Sequence, residues 1–154
     1  MNQRRQSRRI AVDVLYEAEI RDRLPLEAFD ERAQAGWVDS TSDEQGGPAP
    51  APEPEIVAYA RKLVEGVQAH QADIDETIGR YADRWAITRM PVIDRTLLRM
   101  ALFELLWRKD IPVPVAINEA VELAKELSTE DSGRFINGLL GRIVEEQKAG
   151  RTSL

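Results

Sequence analysis

The sequence predicts an all-α protein of six or seven helices, and three observations predict it. Apolar residues recur at the three- and four-residue spacing of a buried helix face along most of the 154-residue chain. Prolines stand where helices begin, at Pro91 and Pro114, positions at which a missing N–H costs nothing. The segment from Pro91 to Lys109 is apolar nearly all round, as expected of a helix enclosed by others. A chain of this length fits one domain.

In chain order, the first stripe is Ile10, Ala11, Val14, Leu15 and Ala18. Leu26, Phe29 and Ala33 space a short second helix. A break follows. Residues 25–55 hold five of the eight prolines (Pro25, Pro48, Pro50, Pro52 and Pro54), Gly46 and Gly47, and eight acids against one base. From Asp39 to Pro54 no period survives, which predicts a flexible, acidic, proline-rich loop over about 38–55. Ile56, Ala60, Leu63, Val64 and Val67 make the next stripe, and Ile74, Ile78, Tyr81, Ala82 and Trp85 a separate one. The enclosed helix carries Ile93, Leu97, Leu98, Met100, Leu102, Phe103 and Trp107. Pro114 opens a helix with Ile117, Val121, Ala124 and Leu127 inward, and Phe135 to Val144 forms the last.

Composition narrows the chemistry. With no cysteine and one histidine, His70, disulfides, thiolate sites and histidine-rich metal sites are excluded, and no metal or cofactor is expected. No apolar run approaches the ~20 residues that span a bilayer, and no signal-peptide core follows the basic start. A cytoplasmic location is expected. The sequence holds no P-loop or dinucleotide fingerprint; GLLGR at 138–142 lacks both the spacing and a preceding strand. Acidic pairs such as Glu145 and Glu146 fall on predicted solvent faces. The reading is a binding protein, not an enzyme.

The charge pattern suggests what it binds. The net charge is −6, yet residues 1–9, MNQRRQSRR, hold Arg4, Arg5, Arg8 and Arg9 and no acid. A basic arm on an acidic body points to local contact with a polyanion; the alternative is a solvated terminus. With Ile10 at zero and about 100° per residue, Arg5, Arg9 and Tyr16 fall near 220°, 260° and 240°, opposite the apolar stripe. Arginines beside an accessible ring suit single-stranded nucleic acid, where cations meet phosphates and the ring stacks on a base. Alternatively, Val12, Tyr16 and Ile20 form a second packing stripe.

The stretch STEDSGRFINGLL, 128–140, poses the same choice. Ser128, Thr129, Asp131 and Ser132 are helix-capping types. Phe135 sits at the margin of the stripe formed by Ile136, Leu139, Leu140 and Ile143, where its ring either seals the core or faces a base. Gly138 and Gly141 weaken that helix by about 1 kcal/mol each relative to alanine, and would let a backbone or ligand come close.

These residues also carry a resemblance. VAINEAVELAKELSTEDSGRFINGLLGRI at 115–143, VIDRTLLRMALFELLWRKDIPVPVAINEA before and overlapping it, and the arginine-rich start with IAVDVLYEAEI at 10–20 resemble the NusB family of bacterial transcription antitermination factors. The likeness covers about residues 4–24 and 56–147; the 25–55 loop has no counterpart. It implies a helical fold of two packed three-helix subbundles. It also implies binding of boxA RNA in ribosomal RNA leader transcripts together with NusE, a small-subunit ribosomal protein, so that RNA polymerase reads through terminators.

By position, the resemblance puts Arg4, Arg5 and Arg8 on the family's basic arm, beside Arg9. It makes Tyr16 and Phe135 RNA-facing aromatics on one face, with Asp131 on the adjacent loop. Asp94 falls on an acidic position at the NusE contact, although an acid near the Pro91 start also suits the helix dipole. Gln6 stands where many members keep a base. Two other functions compete. NusB-like domains also precede RNA methyltransferase domains, but a chain ending at Leu154 leaves no room for one. Some family members look dimeric, so a structural homodimer joined through Val12, Tyr16 and Ile20 is the alternative.

Overall fold

The computed structural model describes residues 3–37, 52–82 and 87–152, and its α-helices are α1 (Gln3–Ile20), α2 (Pro25–Gln34), α3 (Pro54–Tyr81), α4 (Val92–Trp107), α5 (Val113–Leu127) and α6 (Glu130–Thr152). A short 3-10 turn, Ile87–Arg89, precedes α4, and no strand occurs among the described residues. The all-α expectation holds. Most of the acidic loop, residues 38–51, lies outside the described residues, as does Trp85.

Three boundaries differ from the sequence reading. The arginine-rich start is not an arm beside a helix; from Gln3 it is the first turns of α1. The two stripes at 56–67 and 74–82 belong to one 28-residue helix, α3. Val67 and Ile74 lie seven residues apart, two full turns, so the stripe stays in phase across the polar interval between them. The last helix begins at Glu130 because Thr129 caps it: the Ser132 N–H donates to Thr129 Oγ1 at 3.0 Å. Glu130 and Asp131 then lie in the first turn, where a negative charge suits the helix dipole.

The chain divides into two compact units, residues 1–69 and 70–154. In the first, α1 packs on α2. Ile10, Ala11, Val12, Val14, Leu15 and Ala18 of α1 are buried, as are Phe29 of α2 and Ile56, Ala60, Leu63, Val64 and Val67 of α3. Both α1 and α2 end on a left-handed residue. After α1 it is Asp22, φ 54°, and the Arg23 N–H closes the helix on the Ala18 carbonyl at 2.8 Å. After α2 it is Gly36, φ 74°, and the Trp37 N–H reaches the Arg32 carbonyl at 3.0 Å. The Trp37 ring then packs edge-on against Phe29, centroids 5.0 Å apart.

In the second unit α4, α5 and α6 pack on one another. Leu97, Leu98, Met100, Ala101 and Leu102 of α4 are wholly enclosed, as its all-round apolar pattern requires. Arg99 forks onto Asp75 at 2.8 and 3.0 Å, fastening the end of α3 to α4. His70 stacks on Trp107 at 4.1 Å. Gly133 lets α6 lie close to α5: a Cβ there would stand 3.0 Å from Lys125 Cγ.

The start of α2 shows how one unit is stitched. Leu24, at the cap position, offers no side-chain acceptor, and Pro25 has no N–H to satisfy. The next N–H, that of Leu26, donates to Gln68 Oε1 of α3 at 2.9 Å. Gln68 therefore caps a helix 42 residues away in sequence. Gln68→Ala is expected to lower unfolding free energy by about 1 kcal/mol, as loss of a cap does, measured by denaturant unfolding with helicity before the transition unchanged.

Candidate nucleic-acid interface

The four arginines of α1 divide between its two faces. Arg4 and Arg8, one turn apart, point inward. The Arg4 guanidinium lies over the Tyr59 ring of α3, 3.7 Å from its centroid, and Arg8 is 1% exposed. Between them Ser7 is buried and donates to the Ile56 carbonyl at 2.8 Å, while Gln3 donates to Glu53 at 2.9 Å. Arg5 is half-buried and Arg9 is exposed. Tyr16, two turns beyond Arg9, is 41% exposed. The outward face is thus Arg5, Arg9 and Tyr16, the set that the helical wheel grouped.

Of the alternative apolar stripe, Val12 is fully buried within its own chain, while Tyr16 and Ile20 stay exposed. It is not a continuous packing surface. The face also carries acids. Glu17 is paired by Arg32 of α2 at 2.7 Å and by Arg21 at 3.4 Å. Asp13 lies one turn after Arg9, and burial pushes its carboxyl above the ordinary value. Arg32 and Arg9 pull it down, and Glu17 adds to the rise.

In the second unit, α6 presents Asp131 and Phe135 one turn apart. Asp131 is exposed and ion-paired with Arg134; Phe135 is half-buried, at the margin of a stripe whose Ile136, Leu139, Leu140 and Ile143 are buried. Cβ atoms at Gly138 and Gly141 would meet nothing within 4 Å. Gly141 and Asn137 line a groove of about 690 Å³ between α5 and α6, with Val113, Val115, Ile117 and Val144. Asp94 departs from its expected place. It is 0% exposed, inside the first turn of α4, so its carboxylate reaches no surface.

Some participants were missed. Tyr59 holds Arg4 inward, and Ser132 and Gly133 lie in the first turn of α6; of these only Ser132 stood out beforehand, as a capping type. Among the described residues no cluster of metal-ligating side chains occurs, and no helix is long and apolar enough to cross a membrane.

Known proteins resemble this chain in sequence and in fold. The model of the NusB family matches residues 5–145. The chain belongs to the NusB family. The transcription antitermination protein NusB of Salinispora arenicola is 47% identical over 145 residues, 94% of this chain and 97% of that one. Among solved structures, NusB of T. maritima is 34% identical, with a TM-score of 0.75 over 95% of this chain and 92% of that chain. A NusB solved with NusE and double-stranded RNA is 27% identical, with a TM-score of 0.77 over 95% and 98%.

The raised Asp13 pKa has a consequence for stability. A carboxyl whose folded pKa lies above its unfolded one favours folding fully below the unfolded value of 3.8, and that contribution is lost as pH rises through the folded value. Asp13→Asn should therefore melt at a higher temperature than the parent at neutral pH. The two should converge below 3.8. Thermal melts across pH check it.

Proposed function

We propose that this chain is a transcription antitermination factor that holds boxA RNA of ribosomal RNA leader transcripts, acts together with NusE, and so lets RNA polymerase read through terminators in the cytoplasm. The outward face of α1 carries the reading: two arginines and an exposed tyrosine share one side of a helix whose other arginines are turned inward. Phosphates would meet Arg5 and Arg9, and the Tyr16 ring offers a stacking surface. Phe135 supplies a second ring from α6, with Asp131 beside it as a hydrogen-bond acceptor for base edges. Binding and release are all that such a factor needs, so the reading is a binder without catalysis. Relatives that bear the antitermination name, and the solved assembly of a NusB with NusE and RNA, support it.

A second reading has one observation in its favour. Tyr16 and Ile20, four residues apart on α1, are 41% and 58% exposed. Such a pair suits a homodimer contact that would hide the α1 face. Light scattering with and without boxA RNA separates the two: a dimer indifferent to RNA favours the second.

The division of the arginines sets the salt dependence. Two phosphate contacts on single-stranded RNA give a log–log slope of about −1.4, and roughly a sevenfold loss of affinity from about 50 to 200 mM salt. Four contacts would give about −2.8 and nearly fiftyfold. The slope is expected near the smaller value, and Arg5→Ala with Arg9→Ala should flatten it further. A slope near the larger value would show that Arg4 and Arg8 leave their inward positions to meet the RNA.

The rings make a separate prediction. Tyr16→Ala and Phe135→Ala should each weaken RNA binding about 5- to 150-fold, the worth of a stacked base. Phe135→Ala should also destabilise modestly, below the ~3–5 kcal/mol of a fully buried phenylalanine. Titration and denaturant unfolding on the same variants check both.

A further inference from the structure

We propose that Asp94 is a positioning residue for the RNA-facing turn of α6, acting through Ser132. The proposal rests on the reading of Phe135 and Asp131 as RNA contacts. Its basis is a chain of hydrogen bonds within the second unit. Ser132 Oγ donates to Asp94 Oδ2 at 2.8 Å, a buried bond that joins α4 to α6. A hydroxyl has one proton and two lone pairs. With its proton committed to the carboxylate, Ser132 Oγ can only accept from Ser128 Oγ, at 3.0 Å, and from Thr129 Oγ1, at 3.1 Å. Thr129 Oγ1 in turn accepts the Ser132 N–H at 3.0 Å, which closes the helix cap. Each proton in the chain is thus pointed by the carboxylate at its end, and charge strengthens such a chain.

The turn so fixed is the one that presents Asp131 and, one residue past Arg134, Phe135. The helix dipole favours an acid in the first turn of α4, but a surface acid would serve that as well as a buried one. Asp94 Oδ1 is buried with no hydrogen-bond partner among the described residues, a costly state for a charged group. An apolar residue would serve burial better. Only an acceptor can orient Ser132.

The test is titration of a single-stranded boxA oligonucleotide with full-length Asp94→Ala, Asp94→Asn, Ser132→Ala and the Asp94→Ala/Ser132→Ala double variant. Phe135→Ala serves as reference, and hydrogen exchange is followed at residues 132–136. Asp94→Ala should bind about tenfold more weakly in its folded fraction, as loss of a buried hydrogen-bond acceptor allows, with faster exchange confined to the first turn of α6. Asp94→Asn keeps an acceptor and should stay within about threefold of the parent. The double variant should lose no more than Asp94→Ala, because the two residues act as one unit. If Asp94→Ala folds poorly, Ser132→Ala decides on the same criteria. Parental RNA affinity in Asp94→Ala, or in Ser132→Ala, while Phe135→Ala binds weakly overturns the positioning role alone. An Asn variant as weak as the Ala variant overturns it too, since charge and not orientation would then matter. Parental affinity in Phe135→Ala overturns the RNA reading of α6 and the proposal with it.

Discussion

In a helix, residues four apart share a face, and that rule decides which way each arginine of α1 turns. Arg4 and Arg8 fall on the inward side with Ser7 beside them; Arg5 and Arg9 fall outward. The inward pair is not spare charge. Arg4 covers the Tyr59 ring, and Ser7 ties the same turn to the Ile56 carbonyl, so the start of α1 is fastened to the start of α3. A basic segment held this way presents Arg5 and Arg9 from an ordered backbone. A disordered arm would lose conformational freedom on binding, at about 1–2 kcal/mol per residue fixed. The helical start turns two arginines inward and removes that ordering cost for the two that face outward.

Periodicity was legible in the sequence wherever one face of a helix is buried. The stripes of α1, α3 and α6 and the enclosure of the middle of α4 follow from residue spacing, and so does the outward set of Arg5, Arg9 and Tyr16. Helix α5 instead buries Ala116, Ala120, Leu123 and Ala124 beside Val121 and leaves Ile117 and Leu127 half-buried, and Trp107 at the end of α4 is exposed. The error at α3 has a physical origin. His70, Gln71, Ala72 and Asp73 look like an interruption, yet the apolar phase resumes after two full turns, and a helix needs only that. The assignment of Arg8 to the RNA came from composition and from resemblance, neither of which contains a facing angle. The wheel contained it.

Long-range polar partners were not legible. A sequence shows that Leu24 cannot cap α2, but it cannot show that Gln68 supplies the missing acceptor. It shows four capping residues at 128–132, but not that their protons end on a carboxylate in α4. Asp94 illustrates the limit. Its position in the first turn of α4 fits both a dipole acid and a partner contact; burial removes the contact, and the bond from Ser132 adds a role inside the fold that spacing does not show. Gly133 is similar, because its reason is Lys125 on the neighbouring helix.

The glycines of α6 then sort by cause. Gly133 lies close to α5, where a Cβ would press on the Lys125 side chain at 3.0 Å. Gly138 and Gly141 have open space where a side chain would stand, so no packing within the described residues demands them. Each costs the helix about 1 kcal/mol relative to alanine. The helix that carries Phe135 is weakened just after that ring, and Gly141 opens onto the groove shared with α5. Its first turn must therefore be held by something other than its own continuation. The Thr129 cap and the Ser132 bond to Asp94 do this from the other side. Phe135 lies between a turn tied down by the Thr129 cap and the Ser132 bond to Asp94 and a stretch where side chains at Gly138 and Gly141 would meet nothing within 4 Å.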